Sequence, residues 1–149
     1  MTQVTMADDD PYKLKRFLDA QKGIYERVTS ELRAGRKASH WMWFIFPQIR
    51  GLGHTETSIL FAIASLPEAE AYLSHPVLGP RLHQCCELLM QIDGRSASQI
   101  FGSPDDLKLR SSMTLFAQAD SKSALFQSVL NRYFQGTPDQ RTLELLEAK

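Results

Sequence analysis

The chain has 149 residues, which is enough for one domain with a sizeable hydrophobic core. Hydrophobic residues make up 43% of it and charged residues 23%, so collagen-like, low-complexity and intrinsically disordered classes are excluded for the whole chain. Its 17 Lys and Arg balance its 17 Asp and Glu. Because nucleic acids and anionic membranes both attract clustered excess cations, we expect this neutral chain to bind neither.

Three short segments bear on cellular location. Residues 1–10 are polar and acidic and lack the positive start and apolar stretch of a secretory signal. The longest apolar run, residues 41–46, is far shorter than the roughly 20 residues that a membrane-spanning helix needs. The only cysteines, Cys85 and Cys86, are adjacent and poorly placed to form a disulfide with each other. We therefore expect a protein of the reducing cytoplasm.

The first half of the chain combines helical patterns with an aromatic run. Asp10 as N-cap and an apolar stripe that stops at Gly35 predict one long amphipathic helix over residues 10–35. The aromatic run at residues 41–46 is predicted to be buried whether it is a strand or a helix, since both of its strand faces are apolar. The glycine-containing loop at residues 51–55 matches no phosphate-binding fingerprint, so a plain turn is favoured there over an anion-binding loop. Ser65 then predicts the start of a short helix.

Helix start and stop signals continue through the second half. Apolar stripes predict a helix over residues 79–94, a brief turn capped by Ser96, and a helix that stops at Gly136. Ser103, Pro104 and the two acidic residues after them predict a helix to about residue 119, because acidic groups favour the positive end of a helix dipole. A capping box over residues 137–140 predicts the last helix.

These patterns together predict a mainly α fold. We expect a compact single-domain orthogonal bundle of several helices, with at most one short extended segment around residues 41–46. The domain is expected to cover residues 10–149, after a disordered tail over residues 1–9. It contains no internal repeat and no convincing linker.

Polar residues beside the aromatic run and on one later helix form the candidate binding site. They are His40, Trp41, Trp43, Gln48, Arg50, Lys108, Arg110 and Ser111. Tryptophans offer stacking surface, and Lys, Arg and hydroxyl groups supply charge and directed donors for a phosphate or carboxylate. This hypothesis requires His40, Arg50, Lys108 and Arg110 to converge on one cavity.

Several of these residues also have a structural interpretation. His40 fits a loop histidine satisfied by hydrogen bonds, and Arg110 fits an exposed i, i+4 ion pair with Asp106. The four histidines, at positions 40, 54, 75 and 83, lack the spacing of metal ligands, so neither a metal nor a cofactor is expected.

Four phrases carry a resemblance to a known family. In chain order they are DPYKLKRFLDAQ, LRAGRKASHWMWFIFPQIRGLG, AYLSHPVLGPRL and FGSPDDLKLRSSMTLF. They resemble the bacterial family of unknown function designated DUF1810, over residues 10–146. The resemblance implies a predominantly helical single domain and no assigned activity. Members often carry the label calpastatin, a disordered type of protease inhibitor, which conflicts with the core-forming stripes of this chain.

Two function hypotheses follow. The first is a pocket for a small anionic or nucleotide-like ligand, with hydrolysis assisted by Asp105 or Asp106 as a conceivable activity, although no paired-carboxylate spacing demonstrates it. The second is a non-enzymatic module whose aromatic run is entirely core and whose outer face binds a protein partner or a second copy. Whether the protein is an enzyme is left open at this point, and we expect a monomer or a weak homodimer.

Overall fold

The computed structural model describes residues 10–148 of the chain. This part contains ten helices and no β-strand, which confirms the mainly α prediction. The predicted tail over residues 1–9 lies outside the described residues. The helices are α1 (Lys15–Gln21), α2 (Tyr25–Arg33), α3 (Met42–Ile45), α4 (Glu56–Leu60), α5 (Leu66–Ser74), α6 (Leu78–Met90), α7 (Ala97–Phe101), α8 (Asp105–Ala119), α9 (Leu125–Phe134) and α10 (Gln140–Glu147).

Helix α8 is the centre of the fold. Its six consecutive residues 111–116 are all buried, a pattern that a helix shows only when other elements surround it. Helices α5, α7, α9 and α10 pack against it, and α6 packs against α9, α5 and α2. The N-terminal turn of α8, which carries Asp105 and Lys108, lies at the edge of this core. The central helix therefore fixes the position of one of the two predicted polar clusters.

The prediction of one long helix over residues 10–35 is wrong. The segment forms two helices, α1 and α2, because Lys22 leaves the helix with extended backbone and Gly23 follows with a φ of +78°. Glycine adopts this left-handed backbone without the steric cost that other residues incur. The Asp10 side chain still caps the segment by accepting hydrogen bonds from the backbone N–H groups of Leu14 (2.8 Å) and Lys15 (3.0 Å).

The aromatic run is buried as expected for most of its length, but it is helical. Residues 42–45 form α3, and the N–H of Phe46 donates to the carbonyl of Met42 at 3.0 Å. The extended alternative is wrong, and among residues 10–148 no strand lies beside the run to pair with an extended segment. Extended pairing occurs just after the run, where Ile49 and Ile63 form an isolated parallel bridge.

Most predicted helix boundaries from residue 65 onward are confirmed. Ser65 caps α5, and Ser96 and Gln99 form a capping box at α7. The capping box predicted over residues 137–140 is wrong: Asp139 caps α10 instead, by accepting a hydrogen bond from the N–H of Thr142 at 2.9 Å. None of the described helices is long and apolar enough to span a membrane.

Candidate functional site

The loop between α2 and α3 is anchored by one carboxylate. Glu31 Oε1 accepts hydrogen bonds from the N–H groups of Ala38 (2.8 Å) and Ser39 (3.0 Å) and from the indole Nε1 of Trp41 (2.8 Å). Its Oε2 accepts a hydrogen bond from Ser39 Oγ at 2.6 Å. This carboxylate therefore fixes the loop that carries Lys37 and His40 and orients the Trp41 ring.

The anchor predicts a pH-dependent stability. Burial raises the pKa of Glu31, but the hydrogen bonds from Ser39, Ala38 and Trp41 outweigh it and lower the pKa from 4.5 to about 2. Because the pKa of Glu31 is lower in the folded than in the unfolded protein, its ionised form stabilises the fold at pH values above the unfolded-state pKa. This stabilisation is lost as pH falls from about 4.5 towards about 2. Glu31→Gln should therefore lower the free energy of unfolding by about 2 kcal/mol at pH 7.

Denaturant unfolding of the wild type and Glu31→Gln between pH 7 and pH 2 measures this difference. The other carboxylates are common to both proteins and cancel in the comparison. The gap between the two proteins should narrow below pH 4.5. A gap that stays constant over the whole range would contradict the role of Glu31.

Trp41 belongs to the core. It is 1% exposed, and its ring lies 6.2 Å from that of Phe46 and 6.3 Å from that of Phe101. Lys37 Nζ approaches the Trp41 ring to 5.2 Å from the centroid. Trp41 therefore does not form the wall of an open pocket, although the candidate site predicted from the sequence includes it.

A charged cluster lies next to this core. Asp105 Oδ2 pairs with Lys37 Nζ at 2.9 Å, and Asp105 Oδ1 pairs with Lys108 Nζ at 3.1 Å. The Lys37 side chain is only 8% exposed. Burial raises the pKa of Asp105, but the hydrogen bonds and charges of the two lysines outweigh it and lower the pKa below its ordinary value. Two ammonium groups thus share one ionised carboxylate.

A cleft of about 250 Å³ opens beside the charged cluster. Its lining residues are Trp43, Gln48, Leu52, Gly53, His54, Thr55, Ser58, Pro104, Leu107, Lys108 and Ser111. Trp43 is partly exposed, and Lys108 Nζ lies 4.3 Å from its ring centroid. The structure therefore brings together four of the predicted residues: Trp43, Gln48, Lys108 and Ser111.

The other predicted residues lie elsewhere, so the expected convergence of four basic groups is wrong. His40 is exposed and does not line the cleft, and Arg50 lines a separate cleft near Arg16. Arg110 donates to the backbone carbonyls of Thr137 and Pro138, both at 3.0 Å. Arg110 thereby holds the turn before α10 in place, and it does not form the predicted ion pair with Asp106. Of the four, only Lys108 reaches the cleft.

The candidate site predicted from the sequence lacks seven of the lining residues, among them His54 and Leu107, and it also lacks Lys37 in the neighbouring charged cluster. The loop of residues 51–55 forms one wall, and a Cβ added to Gly53 would lie 2.5 Å from Ser58 Oγ. Glycine is therefore required for this close approach. Gly51 and Gly53 were the signal in the sequence for this part of the cleft. They indicate a turn, but they do not show which neighbour the turn packs against.

The cleft combines a ring face, one ammonium group and several neutral polar side chains. The side chain of Gln48 has no hydrogen bond to any described residue, and Ser111 Oγ donates only to the carbonyl of Leu107, at 3.2 Å. The Gln48 amide is therefore free to donate to a ligand, whereas the Ser111 hydroxyl has already donated its hydrogen within the helix. Within residues 10–148, no three His, Cys, Asp or Glu side chains are grouped closely enough to share a metal ion.

Comparisons with known proteins identify a family and a similar crystal structure. The profile of a family described as protein of unknown function (DUF1810) matches residues 11–146. A crystal structure of the conserved hypothetical protein Rv1873 from Mycobacterium tuberculosis is 54% identical, with a TM-score of 0.92 over 94% of this chain and 100% of that chain. No curated protein matches the chain. The family match spans nearly the whole described domain, and the chain belongs to the DUF1810 family.

Proposed function

We propose that the cleft beside Trp43 binds a small anionic ligand with a planar ring, such as a nucleotide-like compound. The observation that carries this proposal is the position of Lys108 Nζ, which lines the cleft and lies 4.3 Å from the Trp43 ring centroid. A cation beside a partly exposed tryptophan ring offers charge and stacking surface to the same ligand.

The charge of the neighbouring cluster supports an anion. Lys37 and Lys108 carry two positive charges, and Asp105 neutralises one of them. A ligand anion bound at Lys108 would neutralise the remaining charge in a partly desolvated place, where charge-assisted hydrogen bonds are stronger than in water. The Gln48 amide adds a neutral donor beside it, and the hydroxyls of Thr55, Ser58 and Ser111, whose hydrogens are donated within the protein, add acceptors.

The same cluster argues for binding over acid catalysis. A general acid must hold a proton near neutral pH, whereas two lysines keep Asp105 ionised. Asp106 accepts a hydrogen bond from the N–H of Leu107 at 2.9 Å and does not line the cleft. Neither carboxylate therefore supports the hydrolytic activity considered from the sequence.

The second candidate is a protein-interaction module, which exposed apolar side chains favour. Leu107 at the rim of the cleft is 54% exposed, and Leu60 on α4 is 57% exposed. Exposed large apolar side chains are a feature of surfaces where a partner docks. The two candidates differ in whether a small molecule stabilises the isolated domain.

A ligand screen followed by titration tests the proposal. Thermal shifts are measured with nucleotides, sugar phosphates and dinucleotides, because a ligand at 100 times its dissociation constant adds about 2.7 kcal/mol of stability. The best ligand is then titrated calorimetrically into the wild type, Lys108→Met and the control Lys122→Met, an exposed lysine outside the cleft.

Lys108→Met should weaken binding at least about tenfold, because it removes a charge-assisted hydrogen bond, while Lys122→Met should bind like the wild type. The Asp105–Lys37 pair remains in the variant and keeps the carboxylate compensated. Equal affinities of the wild type and Lys108→Met for the ligand would show that Lys108 takes no part in binding it. The absence of any thermal shift would favour the interaction module.

A further inference from the structure

Arg81 on α6 is unusual among the partly buried arginines of residues 10–148. The other two make more hydrogen bonds: Arg16 donates to four backbone carbonyls and to Glu68, and Arg110 donates to two carbonyls. Arg81 makes a single hydrogen bond, from Nη1 to Gln21 Oε1 at 3.1 Å, and no described carboxylate lies within 4.0 Å of it. Arg81 therefore has no ion-pair partner in the described part of the chain.

The Arg81 guanidinium is nevertheless held in a defined position. Gln21 is 1% exposed, and its Nε2 donates to the carbonyl of Phe44 (2.8 Å) and to the hydroxyl of Tyr72 (3.3 Å), so its Oε1 points to Arg81. The Tyr25 ring lies 4.6 Å from the guanidinium carbon. A buried amide and a stacked ring thus orient the donors before any ligand arrives, which lowers the entropic cost of binding.

Arg81 lines an open cleft. A cleft of about 380 Å³ is lined by Gln21, Gly23, Tyr25, Glu26 and Arg81, and it shares no residue with the cleft beside Trp43. Within residues 10–148, Ser112 Oγ is the sole fully buried side-chain nitrogen or oxygen without a partner. Nε and Nη2 of Arg81, which have no described partner, are therefore accessible to solvent.

We propose that this cleft is a second ligand site, in which Arg81 binds the carboxylate of a small organic acid in bidentate geometry. The planar guanidinium matches the planar carboxylate, and Glu26 supplies the other charge in the lining. This negative charge opposes a phosphate dianion more strongly than a carboxylate monoanion. The proposal does not depend on the function proposed for the Trp43 cleft.

Nuclear magnetic resonance titration of the ¹⁵N-labelled wild type with benzoate tests the site directly. The Nε–Hε resonance of Arg81 should move saturably with benzoate, and it should move much less with potassium chloride of equal ionic strength or with inorganic phosphate. A linear response, or equal movement with chloride, would overturn the proposal. Phosphate binding as tight as benzoate binding would overturn the carboxylate preference, and with it the assigned ligand class.

Two variants and a matched control separate binding from structure. Arg81→Lys keeps the charge but loses the bidentate fork, so benzoate affinity should fall about tenfold, while the exposed control Arg36→Lys should bind like the wild type. Glu26→Gln should narrow the difference between benzoate and phosphate affinities. Unchanged benzoate affinity in Arg81→Lys, or an unchanged preference in Glu26→Gln, would count against the proposal, and the wild-type titration decides it if a variant fails to fold.

Discussion

Replacement of Trp41 by alanine should lower the free energy of unfolding by about 3 to 5 kcal/mol. The ring is 1% exposed and packs against Phe46 and Phe101, so the variant loses the transfer free energy of the ring and leaves a cavity. It also leaves Glu31 with one fewer donor, since the indole N–H donates to Glu31 Oε1 at 2.8 Å. The denaturant midpoint at constant m-value measures the change.

Trp43→Ala is the matched control, because it removes the same side chain two positions along the chain. Trp43 is partly exposed and borders the cleft, so its replacement should cost less, about 1 to 2 kcal/mol. Lys108 would lose the ring beneath its ammonium group, which adds a small part of that cost. Equal losses in the two variants would show that the assignment of Trp41 to the core and Trp43 to the cleft is incorrect.

Gly79→Ala should destabilise the protein by about 3 kcal/mol, although alanine is ordinarily the better helix former. A Cβ at position 79 would lie 2.1 Å from the backbone carbonyl oxygen of Leu73. Because that atom belongs to the backbone at the end of α5, a side-chain rotation cannot relieve the overlap. The start of α6 and the end of α5 would have to separate, with loss of packing between them.

Thermal and denaturant unfolding of Gly79→Ala measure this effect. Glu87→Ala is the control, since Glu87 is exposed on the same helix and makes no side-chain hydrogen bond or ion pair with the described residues. Its replacement should change the stability by less than about 0.5 kcal/mol. A Gly79→Ala variant as stable as the wild type would mean that α5 and α6 are not in the close contact described here.

Local signals were sufficient for most helix boundaries. Ser65, Ser96 and the acidic turn at residue 105 act within one helical turn, so their effect is readable from a few neighbouring residues. The same local reasoning failed at Gly23, where an apolar stripe continued across a residue with left-handed backbone. Periodicity reports which face of a segment is buried, and it does not report whether the segment is continuous.

The sequence by itself determined the mainly α fold class, the burial of most of the aromatic run and the family, because composition, periodicity and motif order are properties of the chain alone. Only the tertiary structure decided the site. A helical turn directs Trp41 and Trp43 to different sides, whereas a strand would have placed them on one face. Lys37, Trp43 and Lys108 come from separate segments. The two lysines meet at Asp105 and Trp43 lies beside Lys108 because of helix packing that no local pattern encodes.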